Sequence, residues 1–195
     1  MAPTQAPINL TLQDIEVGQP TETMEDVEAI PELAGRMLDR LRVLDPSGRP
    51  FGRLTLSISS FVPKPWTPFQ WAPFDGAASL QTKLEIIKRG VRSFSNVRVL
   101  HENPREAALQ ALLARGDRRV GEFLELAASY DGDWRRALRE WDGDSDFYTT
   151  RRRSLEERLP WDHFDVGVKK VGLVREWERA QAEDAVTPVA AGAGR

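Results

Sequence analysis

The sequence contains no cysteine. Disulfides, thiolate metal sites, iron–sulfur ligation and a cysteine nucleophile are excluded together, because each requires a thiol or thiolate. Histidine is nearly as scarce, with two residues in 195. No apolar run approaches the length of a membrane span, and Met1 to Pro7 carries neither a basic flank nor a hydrophobic signal core, so the expected location is cytoplasmic. An excess of one charge is missing too. With 27 Lys and Arg against 30 Asp and Glu, the net charge of -3 supplies no global field to gather nucleic acid or an anionic membrane. What remains is 41% hydrophobic residues, enough to fill the core of one domain or one and a half.

The most informative stretch is LTLSISSFVPKPWTPFQWAPFD at 54 to 75. Leu54, Leu56 and Ile58 alternate with Thr55, Ser57 and Ser59, so a strand over 53 to 62 has one apolar face and one hydroxyl-lined face. Pro63, Pro65 and Pro68 then fix φ and bias their predecessors toward extended geometry, which holds Trp66, Phe69 and Trp71 on a stiff loop.

Around this stretch the chain reads as α/β first and α-helical afterwards. Ile8 to Val17 alternates as a short strand until Gly18 and Pro20, although Gln13, Asp14 and Glu16 intrude on it as polar residues. Thr23 and Asp26 form a capping box for a helix bearing Met24, Val27, Ile30, Leu33, Met37, Leu38 and Leu41, with a kink or break expected at Pro31. DPSGRP at 45 to 50 is turn chemistry. Asp75 is the expected cap of a helix through Leu80, Leu84, Ile87 and Val91, and Asn96 to His101 is a third strand. Strand, helix, strand with crossovers of this length implies parallel pairing. From Asn103 the pattern is helical: Asn103 as cap, Pro104 at the first position, a corner at Arg115, Gly116 and Asp117, a further helix capped by Asp133, and a last one over 168 to 182 with Val171, Val174 and Trp177 inward. Residues 1–7 and 184–195 read as disordered ends, which leaves 8–102 and 103–183 as the two ordered regions.

Five blocks, in order, carry a family resemblance. GQPTETMEDVEAI at 18 to 30 resembles the turn after the fifth barrel strand of radical S-adenosylmethionine (SAM) enzymes, most closely those with a cobalamin (B12)-binding N-terminal domain. SISSFVPKPWTPFQWAP at 57 to 73 is similar to their sixth strand and its loop. HENPREAALQALLARGDRRVGE at 101 to 122, DFYTTRRRSLEERLPWDHFDVGV at 146 to 168 and LVREWERA at 173 to 180 resemble their C-terminal extension. The resemblance covers about residues 15 to 182 and implies the C-terminal half of a partial (β/α) barrel of about three strands, followed by an α-helical extension. In that family SAM and a 4Fe-4S cluster are the cofactors, and the cluster cysteines lie early in the barrel, upstream of every block matched here. The chain alone is therefore expected to be inactive, a truncated form, with an N-terminal half encoded separately as the expected partner. The alternatives are a non-catalytic binding module or a degenerate gene remnant.

The resemblance implies SAM contacts at Gly18, Pro20, Thr21, Ser57, Ser59 and Phe61 and assigns no catalytic residue; the aromatic faces of the loop, with Lys64 among them, suit substrate contacts at Lys64, Trp66 and Phe69. Each set has a second reading. The hydroxyls can face solvent on a half-buried sheet, the Gly18 to Thr21 turn can be an ordinary capped corner, and the aromatic loop can pack onto the C-terminal helices and join the two halves. His101 with Glu102, and Asp162, His163 and Asp165, have ligand-type side chains, but their spacing fixes no metal site, and Asp162 or Asp165 serves equally as a cap for the last helix. Arg151 to Arg153 and Arg115 to Arg119 are basic clusters; the triple arginine reads as solvated, salt-bridged surface rather than a nucleic-acid grip, and Arg115, Gly116 and Asp117 as a helix corner whose glycine relaxes the turn.

Overall fold

A computed structural model describes residues 8–44 and 51–182. The two expected disordered ends and the 45–50 turn lie outside the described residues. Three parallel strands, β1 (Ile8–Val17), β2 (Phe51–Ser60) and β3 (Val97–His101), form one sheet in the order β1-β2-β3. Between them run α1 (Met24–Leu44) and α2 (Ala77–Gly90), with a short 3-10 turn at Pro68–Trp71 ahead of α2. The helices α3 (Pro104–Arg115), α4 (Val120–Ser129), α5 (Trp134–Glu140), α6 (Ser145–Tyr148) and α7 (Lys170–Ala182) follow. The fold is mixed α/β, with its helical part in the second half.

The polar intruders in β1 have a local solution. Strict alternation from Leu10 and Leu12 would put Asp14 and Glu16 on the apolar face. Instead the register against β2 slips between Leu12 and Ile15, where Leu12 faces Leu56 and Ile15 faces Ile58. Asp14 absorbs the extra residue at φ 60, a left-handed conformation that Asp tolerates better than most residues. The bulge returns Ile15 and Val17 to the helix-covered side.

That side is the main core. Leu54, Leu56 and Ile58 of β2 are buried with Val27, Ala34 and Leu38 of α1 and Leu80, Leu84 and Ile87 of α2, so both crossover helices cover one sheet face. Ala107 and Ala111 of α3 close the same core. The other face carries Thr11, Thr55 and Arg98 in one row, Ser57 beside Leu100 in the next, and Glu16 beside Ser59 at the end. Two further clusters hold the helical half. One joins Trp71 and Ala72 to Leu159, Trp161, Leu173 and Trp177; the other gathers Leu112, Val120, Phe123, Ala137, Trp141 and Tyr148.

Several expectations need correcting. Pro31 does not break α1, which continues to Leu44. Its ring is buried against Gly90 of α2, where a Cβ would come within 2.5 Å of Pro31 Cγ, so the two helices approach closely at the proline. The cap of α2 is Gly76, not Asp75, and it offers no side-chain bond. Val171 is 66% exposed, whereas Val174 and Trp177 do face inward, together with Leu173. Neither Asp162 nor Asp165 caps that helix; they accept bonds from the Leu159 and Gly167 amides. The short α6 has no counterpart in the sequence reading. Thr23 and Asp26 do form the capping box, each side chain accepting from the other's amide, and Asn103 and Asp133 cap α3 and α5.

Candidate functional site

In parallel α/β sheets, ligand sites gather where strands end and loops begin. Here three loops meet at that edge: 18–23 after β1, 61–76 after β2, and 102–103 after β3. The first is locked from beneath. Gly18 sits at φ +90, and a Cβ there would stand 2.7 Å from Leu80 Cδ2 and 3.2 Å from Asp75 Cβ, so glycine is required by packing as well as by backbone conformation. Its amide donates to both carboxylate oxygens of Glu22, at 3.1 and 3.0 Å.

Glu22 also anchors a buried ion cluster. Lys83 Nζ, from the middle of α2, lies 2.7 Å from Glu22 Oε1 and 3.0 Å from Asp75 Oδ2. The Lys83 and Glu22 side chains are each 8% exposed and that of Asp75 is 25% exposed. Burial alone pulls Lys83 down, but hydrogen bonds and attraction from the two carboxylates outweigh it and hold the ammonium above its ordinary pKa. One cation thus ties the first loop, the end of the second loop and α2 together. Neither Lys83 nor Asp75 stood out in the sequence as part of a site. Glu22 lay within the recognised turn.

Ser57 and Ser59 project from the open sheet face and are half-buried, as is Thr55; none of these hydroxyls has a hydrogen-bond partner among the described residues. Phe61 continues the ladder through its amide to the Val17 carbonyl at 2.8 Å, and its ring meets Phe69 edge-on at 5.3 Å. Pro20 and Thr21 are half-buried on the neighbouring turn. Lys64 stands at the same edge, where burial lowers its pKa against an opposing pull from Glu102 of the third loop. Gly18, Pro20 and Thr21 thus lie on the loop after β1, Ser57 and Ser59 near the end of β2, and Phe61 and Lys64 on the loop that follows it.

The aromatic loop makes a separate set of contacts. Phe69 meets Trp177 of α7 edge-on at 5.8 Å, and Trp66 and Phe69 pack against the cluster of Trp71, Trp161 and Leu173. Buried Gln70 fixes the loop by accepting from the Trp66 amide at 3.2 Å and from Trp161 Nε1 at 2.6 Å. Trp66 takes φ 62, a conformation uncommon for a bulky residue, and borders a cavity of about 550 Å³ with Trp161, Phe164, His163 and the Gly116 corner. The loop joins the two halves of the chain while leaving the Trp66 side on a cavity.

The arginine clusters are not uniformly surface. Arg151 pairs with Glu157 at 2.6 Å as a part-buried ion pair, and the more exposed Arg119 pairs with Asp117 at 2.6 Å. Arg115 and Arg153, by contrast, are 0% and 4% exposed. Arg153 Nη2 donates to the carbonyls of Arg115 and Tyr148, the last residues of α3 and α6, at 3.2 and 3.0 Å; Arg115 Nη1 donates to the Thr149 carbonyl at 3.2 Å. Both serve as internal helix-end caps. Burial, and then the nearby guanidiniums of Arg153 and Arg151, bring the Arg115 pKa down to about 10, with Glu157 opposing. Sequence patterning gives no sign of this, because arginine is ordinarily a surface residue.

His101 Nδ1 lies 2.7 Å from the Glu102 carbonyl, and His163 rests on Phe164 with ring centroids 4.0 Å apart. Among the described residues no three His, Asp or Glu side chains are grouped as metal ligands. Among these residues, too, no helix is long and apolar enough to cross a membrane.

Comparison with known proteins adds one relative. No family model matches the chain. It is similar to an uncharacterized protein of Methanocaldococcus jannaschii, 30% identical over 111 residues, which is 57% of this chain and 22% of that protein. The match spans about a fifth of the relative's length. No solved structure matches.

Proposed function

We propose that the chain forms the C-terminal wall of a radical SAM (β/α) barrel together with its helical extension, and acts with a separate cluster-bearing half. One observation carries this reading. Three parallel strands run in sequential order, both crossover helices cover one face, and the opposite face presents hydroxyls of Thr55, Ser57 and Ser59 that have no partner among the described residues. A closed barrel would turn such a face inward, toward its ligands at the strand ends.

The residues fit the two implied cofactors differently. An iron–sulfur cluster needs thiolates, and a chain without cysteine does not hold one, so no redox step is assigned to it. SAM needs hydrogen-bond partners for its ribose and carboxylate oxygens, and the free hydroxyls of Ser57 and Ser59 are of that type. When bound, SAM would supply the sulfonium that a reduced cluster cleaves. Ser57 and Ser59 would hold its polar atoms, with Phe61, Pro20 and Thr21 along the rim. Lys64, Trp66 and Phe69 would border the substrate on the second loop. The expected organisation is intracellular, with the cluster half as partner.

A second reading, a binding module without chemistry, is favoured by a different observation. Gly18 has given its amide to Glu22, and the first turn of α1 is already capped by Thr23 and Asp26. Backbone donors that would greet a nucleoside are thus occupied within the chain. The two readings separate in a co-expression experiment with a half-barrel carrying the cluster cysteines. The barrel reading expects a brown, iron-containing complex that forms deoxyadenosine from SAM under reductant, with loss of about tenfold or more in SAM affinity for the Ser57→Ala, Ser59→Ala double variant. A colourless mixture whose components elute separately sinks it.

A further inference from the structure

We propose that a cavity between the start of α2 and helices α3, α5 and α6 binds a small amphipathic anion, an apolar chain or ring bearing a single phosphate, sulfonate or carboxylate group. The cavity measures about 370 Å³, within the range of small-molecule sites, roughly 300–1,000 Å³. Its floor is apolar: Phe74, Leu109, Leu112 and Leu138. Its rim is basic, with Arg105, Arg135 and Arg139 against a single carboxylate, Asp146.

These guanidiniums are weakly committed elsewhere. The Arg105 side chain has no polar partner among the described residues. The Arg139 side chain makes no hydrogen bond among the described residues, exerting only a longer-range pull on Glu140. Arg135 reaches Glu106 at 3.9 Å and lies over the Trp134 ring at 4.6 Å, a loose ion pair on an aromatic wall. Basic rims on solvated helices ordinarily face acidic neighbours. Here three arginines instead surround a hydrophobic hollow in a chain whose overall charge is -3.

The end of α2 adds direction. Gly76 caps it at φ +89 without a side-chain bond, no acid occupies its first turn, and Gly76 and Ala77 both border the cavity. Uncapped amides and the positive end of the helix dipole favour an anion on that wall. An apolar body on the floor and a charged head at the rim would satisfy both halves of the lining at once. A purely apolar ligand would leave the arginines unused; a bare anion would leave the floor wet. The site needs nothing from the hydroxyl face of the sheet, so it stands or falls apart from the barrel reading.

Isothermal titration calorimetry of the purified chain with octyl phosphate, octanol and inorganic phosphate tests it. Octyl phosphate is expected to bind at least about tenfold more tightly than either of the others, the head group and the chain each contributing. Arg105→Gln and Arg139→Gln, both surface changes that should leave the melting temperature in place, are each expected to weaken octyl phosphate by about three- to tenfold without altering octanol. Ala108 also lines the cavity, and Ala108→Trp, which fills it, should abolish binding. Equal affinity for octyl phosphate and octanol, equal affinity for octyl phosphate and phosphate, no detectable binding, or arginine variants that bind as the parent does would each overturn the proposal.

Discussion

Replacing Lys83 by methionine probes the ion cluster most sharply. The substitution keeps the length and apolar stem of the side chain and removes the one cation that sits between Glu22 and Asp75 at 2.7 and 3.0 Å. Two carboxylates, one of them 8% exposed, are then left facing each other. Breaking a buried pair by deleting one partner costs about 3–5 kcal/mol, because the remaining charge stays desolvated. For a chain of this size the melting temperature should fall by roughly 6–20 °C, at about 2–4 °C per kcal/mol. Adding Glu22→Gln should recover part of the loss, since the amide oxygen still accepts from Gly18 and one stranded charge disappears; the coupling between the two changes should be about 1–3 kcal/mol. The parent protein carries a matching pH signature. Lys83 is raised above its unfolded value of 10.5, so its contribution is complete below that pH and is lost as the pH climbs through the higher folded value. Urea unfolding of the parent, both single variants and the double variant reads all of this. A Lys83→Met loss under about 1 kcal/mol, or strictly additive effects, would refute the argument that the cluster clamps the loops.

Other expectations follow from single sites. Gly18→Ala should destabilise by about 1–3 kcal/mol in urea melts, because a Cβ is strained at φ +90 and would collide with Leu80. Arg153→Met should cost about 2–4 kcal/mol, since it strands the buried carbonyls that end α3 and α6, whereas Arg115→Met should stay within about 1 kcal/mol of the parent, because the Thr149 carbonyl keeps the Phe74 amide and the repulsion with Arg153 is relieved; the reverse order would contradict the assignment of Arg153 as the sole donor to its two carbonyls among the described residues. Arg119 hydrogen bonds to Asp117, helped by its own amide and the Tyr148 hydroxyl and opposed by burial, bring the carboxyl down to about 2 from 3.8. Stability from this group is present above pH 3.8 and is lost as the pH falls through about 2, so Asp117→Asn should flatten the acid limb of a pH-stability curve over that interval.

The legible and illegible parts of the molecule divide along physical lines. Caps at Thr23, Asn103 and Asp133 and the alternation of β2 are local, so neighbouring residues reveal them. The bulge at Asp14 was written in the sequence as a phase slip from Leu12 to Ile15, yet its polar residues read as erosion of the strand until the partner register made the extra residue visible. Lys83, Glu22 and Asp75 come from three segments, and their meeting depends on how α2 crosses the first loop, which no local pattern encodes. Arg115 and Arg153 ran against the usual preference of arginine for water, because carbonyls at two helix ends needed donors in the interior. The aromatic loop carried both its meanings in the sequence. Phe69 turned toward α7, while Trp66 kept one side on a cavity.

The central claim of the proposed function is that Gly18, Pro20, Thr21, Ser57, Ser59 and Phe61 contact SAM. Amide chemical shifts of the isotope-labelled chain, followed during titration with SAM, test it most directly. The account predicts saturable shifts confined to 18–21 and 57–61, diminished in the Ser57→Ala, Ser59→Ala variant. An unchanged spectrum at millimolar SAM, or shifts confined to other parts of the chain, would contradict it.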